Sequence, residues 1–341
     1  MADDIPALDR PARLLLLDPH LLGPDAVGRD RPLGAAAHVG LGDGHRPSLA
    51  EGADRRSAAV DYAPARRGAH EEDELAEETG NGVAEGFTQT ARDYDDVVRH
   101  NVTGAWRLAG SLPPGGYEEV LDVGCGTGFA SLAMAERHGT RRVIGVDPAE
   151  GMLEQFRAKL ADRPDISVTL HAADVLAMPV ADASVDAVIC SMAFHWFPRK
   201  AEAMRAMART LRPGGVIGVL CAGRGGEGEF RVVLAGLEPP PVNWIGAFDA
   251  VQRDIPEMEE YLVAAGLEPI DVWMERRIRR VAPEGFLERM RVVAGHLHSD
   301  LSPDELASLN ARVAEALARV CGPRGFEYTF TKLFAVARAP S

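Results

Sequence analysis

Apolar residues in the middle of this chain gather into short runs, and between those runs they recur at helical spacing. Val120-Leu121-Asp122-Val123 is one run, with a single acid in it, and it ends at once in Gly124-Cys125-Gly126-Thr127-Gly128. That is the pattern of a buried strand feeding a tight glycine turn, where backbone can approach a nucleotide-like ligand. An amphipathic stretch, Phe129 to His138, follows, and Val143-Ile144-Gly145-Val146-Asp147 reads as a second buried strand closed by a carboxylate. Met152, Leu153, Phe156 and Leu160 make the core stripe of the next helix, with Pro148 expected in its first turn, where its fixed φ and missing N–H suit the position. Ile166 to Ala172 alternates as a third strand and runs into Ala173-Asp174-Val175. Val185 to Cys190 is a fourth, opening into Ser191-Met192-Ala193-Phe194-His195-Trp196-Phe197. Val216 to Cys221 is a fifth, preceded by the turn Leu211-Arg212-Pro213-Gly214-Gly215.

The pattern changes on both sides of this block. Residues 1 to about 80 hold one aromatic residue, Tyr62, and show neither period, and six acids fall between Glu71 and Glu78. So little apolar surface does not offset the entropy of ordering, so residues 1–84 are expected to be a disordered tail and acidic linker, with the folded domain over 85–341. Phe87, Tyr94, Val97, Val98, Val102, Trp106 and Leu108 predict helix from Phe87 to Ala109, broken around Asn101 to Gly104. Past Gly223, residues 229–266 read as helices interrupted by Pro239-Pro240-Pro241. Glu268 to Val281 reads as a sixth strand ending in Arg276-Arg277-Ile278-Arg279-Arg280. Residues 284–320 read as helices, the second opened by Ser302-Pro303-Asp304-Glu305, and Phe326 to Arg338 as a closing strand.

Glycine spacing separates the candidate ligands. A dinucleotide turn needs G-x-G-x-x-G, whereas glycines 124, 126 and 128 give G-x-G-x-G, with Phe129 where the third dinucleotide glycine falls. Asp147 suits a ribose, because a carboxylate accepts two hydroxyl hydrogen bonds, but dinucleotide enzymes use the same device. The turn resembles the first motif of class I S-adenosylmethionine (SAM) dependent methyltransferases. The segments around Asp147, Asp174, Ser191 and Pro213 resemble the motifs that follow it, in the same order. This resemblance implies a Rossmann-like α/β sheet of seven strands, order 3-2-1-4-5-7-6 with the last strand antiparallel. It also implies a helical cap from about 85–109, 229–266 and 283–322, SAM as cofactor and S-adenosylhomocysteine as product. It places the cofactor against Asp122, Gly124, Cys125, Gly126 and Gly128, the ribose at Asp147 and Pro148, and the end of the fourth strand, Ser191, beside it. Ala173, Asp174 and Val175 correspond to the adenine segment, with Asp174 receiving the exocyclic amine. Met152 flanks the adenine or is plain core, and Tyr94 faces the methionine end or packs its ring on the sheet with its hydroxyl in solvent.

The acceptor is expected to be a small molecule and O-methylation is favoured, on a carboxylate, which needs no base, or on a hydroxyl, which does. His195 is the candidate catalytic base, since it follows the fourth strand at the cleft and an unperturbed imidazole titrates near neutrality. His195-Trp196-Phe197, which resembles a stretch of the trans-aconitate type of carboxyl methyltransferase and more loosely the quinone-biosynthesis group, equally reads as a pocket wall. Other readings are a NAD-dependent oxidoreductase, opposed by Phe129 and the Asp174 segment, and a SAM-binding regulator without turnover. A net charge of −14 disfavours nucleic acid as partner. Arg276, Arg277, Arg279 and Arg280 alternate along a strand, so only half share a face, which suits an anionic acceptor less well than a solvated edge. Cys125, Cys190, Cys221 and Cys321 have no metal-ligand spacing, and His296 and His298 face apart if helical, so no metal is expected. No apolar run approaches the ~20 residues of a membrane span, and a cytoplasmic protein is expected.

Overall fold

The computed structural model describes residues 29–30, 82–298 and 301–341. The expected tail over residues 1–84 therefore lies mostly outside the described residues. Seven strands form one sheet: β1 (Glu119–Val123), β2 (Arg142–Val146), β3 (Ser167–His171), β4 (Val185–Ser191), β5 (Leu211–Ala222), β6 (Glu268–Val281) and β7 (Phe326–Arg338). Their order is β3-β2-β1-β4-β5-β7-β6, and the two-residue stretch Arg29–Asp30 pairs antiparallel with Glu275 and Met274 on the outer side of β6. β1 to β5 are parallel, and β7 runs antiparallel to both β5 and β6. The sheet is covered on both faces, which is why its strands are nearly continuous apolar runs. Val120, Ala187, Ile189 and Leu220 bury into one core, while Leu121, Val188, Cys190 and Val219 bury into the other.

Ten α-helices are described: α1 (Val83–Val97), α2 (Arg99–Ala109), α3 (Phe129–His138), α4 (Glu150–Leu160), α5 (Lys200–Ala208), α6 (Gly228–Ala235), α7 (Val242–Val251), α8 (Ile255–Ala264), α9 (Pro283–Ala294) and α10 (Pro303–Val320). Ser302 caps α10 with a reciprocal Ser302–Glu305 box behind Pro303, as its sequence indicates. None of the described helices is long and apolar enough to cross a membrane.

Three local expectations are corrected. The break between α1 and α2 falls at Val98, whose N–H bonds Tyr94 O at 2.9 Å, and not at Asn101 to Gly104. Asn101 and Gly104 face inward instead. A Cβ on Gly104 would lie 2.5 Å from Lys332 Nζ and 2.8 Å from Leu220 Cδ2, so the missing side chain lets α2 approach β5 and β7. Pro148 stands before the helix rather than in its first turn, because Asp147 Oδ1 takes the Ala149 N–H at 2.9 Å and holds that segment as a turn. Strand β5 begins at Leu211, five residues early: Leu211 pairs with Val185, and a bulge absorbs the glycines before regular pairing resumes at Val216.

Candidate functional site

The carboxyl ends of β1 to β4 open into one cavity of about 960 Å³, at the upper end of the usual range for ligand sites. Open parallel sheets bind ligands at this edge, where side-chain and backbone groups of successive strand ends converge. The first strand end supplies Gly124, Gly126 and Gly128, all at positive φ (66°, 51° and 89°). Gly124 and Gly128 are required for close packing too, since their Cβ atoms would lie 2.2 Å from Ala193 Cβ and 2.3 Å from the Phe156 ring. Nothing lies within 4 Å of a Cβ on Gly126, which borders the open space.

Three carboxylates line this half of the cavity. Asp147 accepts the Gly126 N–H at Oδ2 (2.8 Å) and the Ala149 N–H at Oδ1 (2.9 Å), which leaves a lone pair on each oxygen for a ligand. Burial pushes its pKa up to about 6, the two N–H bonds opposing. Asp122, fully buried beneath the turn, accepts both the N–H and the hydroxyl of Ser131 at Oδ2, while its Oδ1 has no partner among the described residues. Burial pushes Asp122 up to about 7 against those two bonds, and the charge of Asp147 adds to the rise. Asp174 is exposed to the cavity and spends one bond on Leu176 N–H at Oδ1. A site built this way accepts hydroxyl donors and suits a cation.

Helix α1 closes the cavity from above. Thr127 Oγ1 donates to Asp95 Oδ1 at 2.6 Å, and Lys159 Nζ meets Asp95 Oδ2 at 2.5 Å and donates to Thr127 O at 2.8 Å, so the helix is tied to the glycine turn through half-buried polar bonds. Tyr94 lines the cavity one residue earlier, its phenol pushed up to about 12 by burial, against the hydrogen bond from Asn101 Nδ2, so it is a donor at neutral pH. Met152 is buried against Ala91, Ala149, Phe87 and Tyr94 at the cavity wall. Met192, at the end of β4, carries a φ of +58° with its N–H bound to Leu220 O, a strained conformation for a non-glycine residue.

Residues 120–215 match the family described as a methyltransferase domain. A malonyl-[acyl-carrier protein] O-methyltransferase from Methylococcus capsulatus is 30% identical over 250 residues, covering 70% of this chain and 86% of the relative. The chain belongs to the class I SAM-dependent methyltransferases. A trans-aconitate 2-methyltransferase from Methylobacterium nodulans is 28% identical over 241 residues, 68% of this methyltransferase and 90% of the relative. A solved Bacillus halodurans structure described as a methyltransferase shares the fold, with a TM-score of 0.50 at 21% identity over 70% of this chain and 99% of that one.

The cofactor of this methyltransferase is SAM, and the residues present fit it. Asp122 Oδ1, buried without a partner, and the spare lone pairs of Asp147 are what a cationic ligand with a ribose diol requires. The structure brings together at this cavity Tyr94, Asp122, Gly124, Cys125, Gly126, Asp147, Pro148, Met152, Ala173, Asp174, Val175 and Ser191. Gly128 stands away from it, turned onto Phe156. His195 also stands away, 5% exposed, and lines a smaller chamber behind the main one. Its Nδ1 accepts the Ala222 N–H at 3.4 Å, which leaves the neutral ring's proton on Nε2. Burial, then the charges of Lys200 and Arg253, hold its pKa down at about 3. Phe87, Asn101 and Met192 are lining residues that sequence reasoning did not assign to the site, while Trp196 walls it as its segment suggested. Phe87 and Trp196 meet edge to face at 6.1 Å, a contact with no local sequence signal. His296 packs on Trp196 and His298 on Trp244, so the two imidazoles serve different aromatic clusters.

Proposed function

We propose that this methyltransferase acts on an oxygen of a small-molecule acid. The observation that carries the reading is the chemistry of the acceptor end, which offers donors and aromatic walls but no group ready to take a proton. Tyr94 stays protonated, and His195 is neutral with its Nδ1 already occupied. An acceptor that arrives ionised, a carboxylate, needs no base. When bound, SAM would supply an activated methyl group for the acceptor oxygen, with S-adenosylhomocysteine and a methyl ester as the products. The protein then contributes position and exclusion of water, for which an oriented pair of reactants can lower the barrier by about 7–11 kcal/mol at most.

In this reading Asp147 holds the ribose diol, Asp174 the adenine amine and Asp122 the ammonium of the cofactor, with Met152 against the adenine. Gly128 shapes the turn, and His195 positions the Ala222 backbone rather than moving a proton. The cap is formed by α1 and the turn Gly295–His298, whose Phe87 and His296 pack on Trp196 of the cavity wall. The names of the two relatives support the acceptor class, since malonyl and aconitate groups both carry carboxyl functions. A net charge of −14 supports a small acceptor over nucleic acid, and three buried free thiols, Cys125, Cys190 and Cys221, suit the cytoplasm.

The test is kcat at saturating SAM against pH, with small carboxylic acids and phenols as acceptors and S-adenosylhomocysteine release as readout. A base-labile methyl ester, a flat profile from pH 6.5 to 9 and a His195→Gln variant within about threefold of wild-type kcat are expected. A rise with pH that His195→Gln abolishes would instead establish the histidine as a base.

A further inference from the structure

Phe87, Tyr94, Asn101, Met192 and Trp196 line both the main cavity and the smaller chamber behind it, so the two adjoin. The chamber measures about 60 Å³. One water needs about 10–15 Å³ on this measure, so the chamber has room for a small polar group. Its wall holds Arg289 of α9, 9% exposed, with the guanidinium carbon 5.0 Å from the Phe330 ring centre and 5.6 Å from that of Tyr328. Nη2 donates to Glu227 Oε1 at 2.8 Å, while Nε and Nη1 have no hydrogen-bond partner among the described residues. Thr331 Oγ1 and Asn101 Oδ1, in the same wall, are also buried without partners. Buried polar atoms are almost always satisfied, so four unsatisfied ones around one small space mark the place of a polar group that the chain does not itself supply.

Charge gives the sign of that group. Glu227 and Arg289 are the charged groups of the lining itself, and further positive charge stands behind it, at Lys332 and Arg279 towards His100 and at Lys200 and Arg253 towards His195. Burial, then Arg289, Lys332 and Arg279, hold His100 down at about 2, and burial, then Lys200 and Arg253, hold His195 at about 3. Both imidazoles are therefore neutral, and the charges that act on them are positive. Arg289 and Thr331 offer donors, as an anion requires, and Asn101 stands at the junction where the rest of a ligand would pass into the main cavity.

We propose that this chamber is an anion subsite for the methyl acceptor, in which Arg289 and Thr331 hold a carboxylate. The acceptor is then a small acid with that carboxylate at one end and, on the side of the main cavity, a second oxygen that receives the methyl group. Arg289 is the specificity-determining residue, and Glu227, by occupying one of its donors, sets how strongly it binds. The proposal rests on the main cavity being the cofactor site.

The experiment is calorimetry on the full chain, first with S-adenosylhomocysteine and then, on the loaded protein, with malonate, glutarate and trans-aconitate. At least one acid binds wild type. Arg289→Gln weakens that acid by about 10- to 100-fold, the usual worth of charge-assisted bonds, and Glu227→Gln, which removes the competing carboxylate charge from Arg289, tightens it several-fold. S-adenosylhomocysteine affinity stays within about twofold in both variants, which shows that they fold. Binding of none of the three acids to loaded wild type refutes the subsite, as does an Arg289→Gln variant that binds them like wild type. Should Arg289→Gln lose its fold, Glu227→Gln decides: tighter binding supports the subsite, and unchanged or weaker binding refutes it. Failure of S-adenosylhomocysteine to bind wild type is a different result, and it removes the cofactor reading itself.

Discussion

Asp147→Ala is expected to weaken S-adenosylhomocysteine binding by at least about 3 kcal/mol, more than a hundredfold. The carboxylate closes the glycine turn through the Gly126 N–H and orders the next segment through the Ala149 N–H, and it keeps a lone pair on each oxygen for the ribose. Hydrogen bonds to a charged group contribute about 1.5–3 kcal/mol each, and the substitution removes two of them to the ligand while loosening the turn. The same carboxylate gives the binding a pH dependence of known sign. Burial raises Asp147 to about 6 and Asp122 to about 7, so both take up protons in the free protein as pH falls through those values. A ligand that needs their ionised forms binds less tightly as they protonate, so affinity drops more than about tenfold between pH 8 and pH 5. Calorimetry at the two pH values measures this, and an affinity that is flat with pH, or insensitive to Asp147→Ala, would remove Asp147 from the cofactor site.

Gly128→Ala is expected to destabilise the fold by about 3 kcal/mol or more. At a φ of +89° an alanine is strained, and its Cβ would lie 2.3 Å from the ring of Phe156, a fully buried residue of α4 that packs with Cys125 and Leu153. Urea denaturation measures the loss. Phe156→Leu in the same chain opens space for the new methyl, so the double variant loses less than the sum of the two singles. Simple additivity would show that the overlap is relieved elsewhere and that conformational strain alone limits this position.

The parts of this protein that were legible in its sequence are the parts built from neighbouring residues. Strands β1 to β5 are buried on both faces, so each announces itself as an apolar run, and the carboxylates of the cofactor half stand within a few positions of a strand end. Asp147 and Asp174 could be placed on that ground because the backbone that ends a strand also delivers the side chain. Asn101 and Gly104 misled for a physical reason: a polar and a small residue in a helix mimic a break, yet here they let α2 lie against β5 and Lys332. His195 follows β4, as the sequence indicates, but it lines the chamber behind the main cavity, and its protonation state is set by burial and by Lys200 and Arg253, one of them far along the chain. That chamber had no signal at all. Asn101, Glu227, Arg289 and Thr331 lie on four different elements or turns, and Arg289 reads in sequence as an ordinary helix charge until the structure buries it under Phe330.

Titration of the purified protein with S-adenosylhomocysteine, beside NADH under the same conditions, is the most direct test of the reading of this cavity. The acidic lining at Asp122, Asp147 and Asp174 predicts one-to-one micromolar binding of S-adenosylhomocysteine, and the G-x-G-x-G spacing of the turn predicts no heat from NADH. Binding of NADH with none of S-adenosylhomocysteine would contradict it.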